Sequence, residues 1–363
     1  MTKRRDALKL GLSAMGVVAL SPCNAVCNAS SRDAQFWEAG DGVVTCKLCP
    51  RFCVIRPGAT SPCRTRQNSG GTLKTIGYAN PCAVHVDPIE KKPLYHVLPG
   101  AKAFSIAIAG CNLRCKNCQN YTISQASPLD TPNMNYPPKK VVEEAKRSGC
   151  TTIAYTYSEP IVWYEYMYDT AKLAHQAGLK NLMITCGYIN PDPLKALAPY
   201  IDAANIDLKS FSNNIYKKLN AGRLQPVLDT ITLSLSLGIW VEITNLIVPE
   251  WTDDLKMIRK MCQWIVQSVG KEVPIHFSRF HPMYKLAHLY PTPKKVLTAA
   301  RNIAKEEGLR FIYVGNVAGT DSNTYCPQCN RPVIKRYGYL VTSNKIKDGK
   351  CSFCGYTING IWT

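Results

Sequence analysis

Three cysteines, Cys111, Cys115 and Cys118, stand at C-x3-C-x2-C spacing directly after an apolar run at residues 103–109. Thiolates are the ligands that iron–sulfur chemistry uses, and three on one short loop can hold three irons of a [4Fe-4S] cluster. The fourth iron then stays open to a small ligand, so the cluster can take part in a reaction as well as carry electrons. A zinc loop, or a disulfide beside a spare thiol, is the other reading of these residues. A closed zinc site wants a fourth ligand at paired spacing, which this loop lacks.

The chain has seventeen cysteines, and eleven of them fall into three groups. Besides the loop, Cys46, Cys49, Cys53 and Cys63 form C-x2-C-x3-C-x9-C, and Cys326, Cys329, Cys351 and Cys354 form C-x2-C-x21-C-x2-C. Tight C-x2-C pairs favour metal over disulfides. The C-terminal set reads as a zinc ribbon with a structural role, and Pro327, Asn330 and Gly355 suit its knuckle turns. A rubredoxin-type iron site uses the same spacing. The N-terminal set fits either a zinc knuckle or an auxiliary iron–sulfur cluster. Cys82, Cys150, Cys186 and Cys262 have no partner spacing and read as buried small residues.

The elements that must hold these groups alternate. Strand-like runs occur at 103–109, 151–157, 181–185, 203–208, 240–247, 274–278 and 311–314. Helical patterns fill most of the gaps, for instance 139–148, 163–177, 253–269 and 294–307. In the third of these Met257, Met261, Trp264 and Ile265 recur at helical spacing. Alternation of this kind implies a parallel sheet, and in a β/α barrel the active site lies where the strands end. The polar motifs gather there. The cysteine loop follows the first strand, Tyr157-Ser158-Glu159-Pro160 the second and Thr185-Cys186-Gly187 the third. Asp207 and Lys209 lie at the end of the fourth, and His281 just past the sixth. The expected division is a signal segment at 1–30, a Cys-rich module at 31–100, a partial (β/α)6-type barrel at 101–320 and a zinc-ribbon-like module at 321–363.

The stretch from Gly110 through Cys111, Cys115 and Cys118 to Asn120 resembles the signature loop of radical S-adenosylmethionine (SAM) enzymes. Asp87-Pro-Ile-Glu-Lys-Lys-Pro-Leu-Tyr95, His276-Phe-Ser-Arg-Phe-His-Pro282 and Gly315-Asn-Val317 narrow it. They resemble the AmmeMemoRadiSam radical SAM proteins, relatives of the pyruvate formate-lyase activating enzyme. The resemblance runs from Cys46 onward; it departs from the wider superfamily at Asn117, where an aromatic residue is common. It implies an α/β partial barrel, a [4Fe-4S] cluster, SAM and a reducing donor of flavodoxin or ferredoxin type. Ser158, Glu159, Thr185, Asp207, Lys209 and His281 are the SAM-contacting residues it implies, with Glu159 receiving the SAM ammonium group. It also implies an activase-like reaction in which hydrogen is removed from a protein, such as a glycyl-radical protein or a Memo-like partner. For Glu159 the plainer role is to cap the helix that begins at Pro160.

The formal charge is +19, from 44 basic and 25 acidic residues, but the basic residues are scattered without a long run. Nucleic acid is therefore not the expected partner, although salt-dependent RNA binding is the test of that class. No stretch of about 18 apolar residues is present to span a membrane in the mature domain. Arg4 and Arg5 precede an apolar run at residues 10–20, which fits a twin-arginine signal and export of a folded, already loaded protein to the periplasm. Without such a signal the protein is cytoplasmic. Export motivates a second class of function, an electron-transfer or metal-binding protein on a decayed barrel.

Overall fold

The computed structural model describes residues 30–363. The export reading rests on residues before 30, outside the described residues.

Seven parallel strands run in sequential order: β1 (Lys102–Ala107), β2 (Thr152–Tyr155), β3 (Lys180–Thr185), β4 (Ala203–Asp207), β5 (Trp240–Ile247), β6 (Ile275–Arg279) and β7 (Ile312–Gly315). Between them lie α1 (Pro138–Arg147), α2 (Tyr164–Gln176), α3 (Pro191–Leu197), α4 (Gln225–Ser236), α5 (Leu255–Ser268) and α6 (Lys294–Glu306). Six β/α units and a closing strand are the expected architecture. The strands are buried almost without a break, as a parallel sheet covered on one face by helices and on the other by its own interior requires. Helix α5 shows how the pattern places a helix. Asp254 caps it by accepting a hydrogen bond from the Lys256 N–H at 2.9 Å. Met257, Met261 and Ile265 are buried, while Trp264 stays at the edge, 6.0 Å from Phe211 between ring centroids.

Two features were not expected. An eighth strand, Ala83–Pro88, pairs antiparallel with β1 at the sheet edge, from within the stretch assigned to the Cys-rich module. It ends in proline, and its alternation Val84-His85-Val86-Asp87 is not matched by burial: Val86 is exposed and Asp87 is buried. After it, the chain enters the barrel. Ile89, Leu94 and Val97 pack on Ala103, Ala154, Leu182 and Ala203, one residue from each of β1 to β4. Three of these four are alanines, and they make room for an inner segment, residues 89–97, that fills the barrel floor.

Three-stranded sheets precede the barrel, Ser31–Asp33 with Thr72–Ile76 and Arg66–Ser69, and Trp37–Ala39 with Val44–Cys46 and Val54–Ile55. After it come Thr324–Tyr325, Pro332–Tyr337 and Leu340–Asn344, then the hairpin Ile346–Lys347 with Lys350–Cys351. This last module packs on the inner segment and β7. Tyr95, Phe311 and Tyr313 share a core with Cys326, Val333, Cys351 and Ile358. A fully buried ion pair, Arg336 to Glu90 at 3.4 Å, reinforces the contact.

Candidate active site

The ends of β1 to β4 surround one large cavity of about 1290 Å³. Cys111, Cys115 and Cys118 line it, together with Ser158, Glu159, Thr185, Asp207 and Lys209. His281 is not brought to the cavity wall; it is exposed and its Nε2 lies 3.2 Å from the Asn316 carbonyl oxygen.

The cysteine loop is pinned from below. The N–H groups of Arg114 and Lys116 donate to the carbonyls of Asn220 at 2.8 Å and Leu219 at 2.9 Å. Each sulfur also meets a polar group. The Leu113 N–H donates to Cys111 Sγ at 3.3 Å, and Asn220 Nδ2 donates to Cys115 Sγ at 3.2 Å. Ser124 Oγ lies 3.0 Å from Cys118 Sγ. Burial, with Glu159 and Cys115 close by, pushes the Cys111 thiol well above its ordinary range. A thiolate there needs a cation bonded to it. The three sulfurs do not come together as ligands of one ion: among the described residues only the C-terminal cysteines form a metal-sized group, within 4.8 Å of one another. A wider, multi-iron cluster fits the loop better than a single ion.

Glu159 follows β2 on a strained turn, with Tyr157 at a φ of 64°. It is 3% exposed. Its Oε1 accepts from Thr185 Oγ1 at 2.6 Å and from the Ile161 N–H at 3.3 Å, and Oε2 accepts from the Cys186 N–H at 2.8 Å. Glu159 thus does cap the short helix Pro160–Trp163, and it faces the cavity as well. A carboxylate offers about four acceptor positions, so these three bonds leave one for a ligand. Burial pushes its pKa up, against the bonds from Cys186 and Thr185.

Asp207 and Lys209 join at 2.7 Å. Burial disfavours the Lys209 cation, but Asp207 and the nearby Cys115 and Cys186 outweigh it and hold its pKa well above the ordinary value. The Lys209 ammonium therefore sits beside the thiol loop. Ser158 is already engaged: it donates to the Ile108 carbonyl and accepts from Trp163 Nε1 at 3.2 Å. Its hydroxyl shapes the turn that aims Glu159.

The far wall was not singled out as a site. His276 lines it, and its Nε2 lies 2.6 Å from the buried Glu242, whose carboxylate also receives the N–H groups of Tyr95 and His96 at 3.0 and 2.8 Å. Lys92 also lines the cavity, bonded to Asp87 at 2.7 Å and 4.3 Å from the centre of the Tyr157 ring. The one signal available was that Lys92 and His276 lie inside the stretches that carried the family resemblance.

The radical SAM superfamily model matches residues 105–262, from β1 into α5 and across the whole thiol-lined half of the cavity. The chain contains a radical SAM domain. An uncharacterized protein of Methanocaldococcus jannaschii is 46% identical over 332 residues, 90% of this chain and 99% of that relative. The pyruvate formate-lyase-activating enzyme of Clostridium pasteurianum is 24% identical over 196 residues, 51% of this chain and 77% of that enzyme. Among solved structures, a radical SAM methyltransferase from Sphaerobacter thermophilus superposes with a TM-score of 0.50 at 12% identity, covering 83% of this chain and 81% of that one. At that identity the likeness concerns the fold alone. A radical SAM domain implies a [4Fe-4S] cluster and SAM, and the residues described here fit both.

The C-terminal cysteines form a separate metal-sized cage. Cys326 and Cys354 sulfurs are 3.6 Å apart, and those of Cys329 and Cys351 3.8 Å. The knuckles close through Asn330 N–H to the Cys326 carbonyl and Gly355 N–H to the Cys351 carbonyl, both 2.9 Å, with Asn330 and Gly355 at positive φ. Among the described residues no helix is long and apolar enough to cross a membrane.

Proposed function

We propose that this protein binds a [4Fe-4S] cluster through Cys111, Cys115 and Cys118, cleaves SAM reductively and removes hydrogen from a protein substrate. The observation that carries the reading is the single cavity shared by the three thiols and the polar groups Glu159, Thr185, Asp207 and Lys209. When reduced, the bound cluster supplies the electron that splits SAM into methionine and a 5′-deoxyadenosyl radical. Glu159 would receive the SAM ammonium group at its free acceptor position, and Thr185 fixes the carboxylate that does so. Lys209, held cationic by Asp207, offsets the negative charge of the thiolate-bound cluster. The buried walls exclude water from the reacting atoms.

Size supports a macromolecular substrate. Small-ligand pockets measure about 300–1000 Å³, and this cavity exceeds that range. Space remains for a peptide segment beside SAM. Similarity to the pyruvate formate-lyase-activating enzyme favours an activase-like reaction. The sequence motifs also favour a system with a Memo-like partner. A low-potential flavodoxin or ferredoxin would supply the electron.

The test is anaerobic reconstitution followed by reduction with dithionite or flavodoxin, with 5′-deoxyadenosine measured by mass spectrometry. The expected result is SAM-dependent product that increases when the true substrate protein is added. A fully loaded protein that binds no SAM and forms no 5′-deoxyadenosine overturns the reading.

A further inference from the structure

Two four-cysteine groups in this chain are built to different scales. In a tetrahedral single-ion site, metal–sulfur bonds of 2.3 Å place the sulfurs about 3.8 Å apart. The C-terminal group has that scale, at 3.6 and 3.8 Å. Cys46, Cys49, Cys53 and Cys63 do not: among the described residues no three of them form a group within 4.8 Å. They are nonetheless neighbours, since Cys49 feels the charges of Cys63, Cys46 and Cys53. None of them is in a disulfide. The four thiols are therefore neighbours set more widely apart than the ligands of one ion.

A buried cation stands beside these thiols. Arg66 is fully buried beside Cys46 and Cys63. Its Nη1 bonds Glu165 at 2.7 Å, but Nε and Nη2 have no hydrogen-bond partner. Two unpaired N–H-bearing atoms on a buried guanidinium are costly unless negative charge lies next to them. Ser61 Oγ, 2.9 Å from Cys63 Sγ, is placed to donate to a thiolate. Glu165 balances the charge of Arg66, but the two unpartnered nitrogens still need acceptors; metal-bound thiolates of Cys46 and Cys63 would supply them, and the spacing selects a multi-iron centre.

We infer that Cys46, Cys49, Cys53 and Cys63 hold a second [4Fe-4S] cluster, fully ligated by cysteine, that passes electrons to the cluster of the Cys111 loop. Position supports the relay. A Cβ at Gly110 would lie 2.7 Å from the Cys63 carbonyl oxygen and 2.6 Å from Thr65 Cγ2, so the two cysteine loops touch one residue away from Cys111. Arg51, two residues after Cys49, donates to the Asn112 carbonyl, and Arg114 lies near both Cys111 and Cys63. On the outer side Cys53 lines a second cavity of about 410 Å³ with Arg51, Lys217 and Arg223, a basic rim suited to an acidic donor protein. The step is one electron in from a low-potential flavodoxin- or ferredoxin-type donor and one electron out to the neighbouring cluster. The second cluster is reduced and then reoxidised, and no bond or proton moves.

The relay rests on the proposed SAM chemistry, whereas the cluster does not. Anaerobically reconstituted wild-type protein should hold about eight cluster irons, two sets of four. Mössbauer and electron paramagnetic resonance spectra should show two equal [4Fe-4S] populations, only one of which changes with SAM. The triple variant Cys111→Ala, Cys115→Ala, Cys118→Ala should keep about four irons, all indifferent to SAM. Wild-type protein with a single, wholly SAM-responsive cluster, or with zinc on the N-terminal cysteines, overturns the inference without recourse to any variant. For the relay, Cys46→Ser with Cys63→Ser should lower flavodoxin-driven SAM cleavage at least tenfold more than dithionite-driven cleavage. Equal loss with both reductants overturns the relay. Failure of wild-type protein to cleave SAM with either reductant defeats the proposed function and the relay, while the iron count still decides the second cluster.

Discussion

Replacing Glu159 by glutamine separates its two roles, cap and ligand receptor. The side chain keeps its shape, so one oxygen can still accept from Thr185 Oγ1 and the Ile161 N–H. The new amide nitrogen then faces the Cys186 N–H, a donor against a donor, where Oε2 now accepts at 2.8 Å. Leaving that buried N–H unsatisfied costs about 1–3 kcal/mol of stability. The charge is lost as well, and a charge-assisted bond to the SAM ammonium contributes about 1.5–3 kcal/mol. The dissociation constant for SAM should therefore rise about 10- to 150-fold. Calorimetry with SAM on anaerobically reconstituted protein, alongside denaturant melts, reads both numbers. A purely structural cap predicts lower stability with unchanged affinity per folded molecule. A Glu159→Gln protein that is destabilised yet binds SAM like wild type refutes the assignment.

Arg336→Met should destabilise the protein by about 3–5 kcal/mol, because it strands buried Glu90, and Glu90→Gln in the same chain should recover part of the loss; unchanged denaturant midpoints in the single variant would contradict this. Cys351→Ser with Cys354→Ser should lower the melting temperature more than SAM cleavage per folded molecule, since closed four-thiolate sites contribute folding free energy; a stable but inactive variant would make the module a functional metal site. Burial lowers the pKa of His96 to about 4 despite the opposing charge of Glu242. An unfolded histidine protonates below about 6.5 while the folded one resists, so stability should fall by about 3 kcal/mol as pH drops from 6.5 to 4. Urea titrations across that window, compared with His96→Gln, should show the variant lacking this part of the slope.

The thiol-lined half of the cavity was legible because chemistry constrains residue type at short spacing. Three thiols within eight residues, or Asp207 and Lys209 two apart after a strand, need no knowledge of distant contacts. The strand–helix alternation was legible for a similar reason, since a parallel strand is apolar throughout and a surface helix on one stripe. The opposite wall was not. Residues 89–97 entered the sequence reading only as part of a resemblance motif, and only Ala103, Ala154, Leu182 and Ala203 across the barrel explain why they lie inside it. Glu242 looks like one charged residue in an apolar strand until Tyr95, His96 and His276 are brought to it from elsewhere in the chain. His281 stands at the expected place in the motif, yet its ring is turned to the surface because the chain leaves β6 there.

The seal between the inner segment and the C-terminal module also sets an order of events during synthesis. Glu90 waits for Arg336, the His96 ring for the Asn359 carbonyl, and Val97 for its bridge with Ile361. Residues 89–97 leave the ribosome more than two hundred positions before the partners that lock them. At roughly 5–20 residues per second, the barrel floor stays unlocked for about ten to fifty seconds after it is made. A chain cut short before residue 330 would lack all three of these locks, so its inner segment would have to be held by the barrel alone.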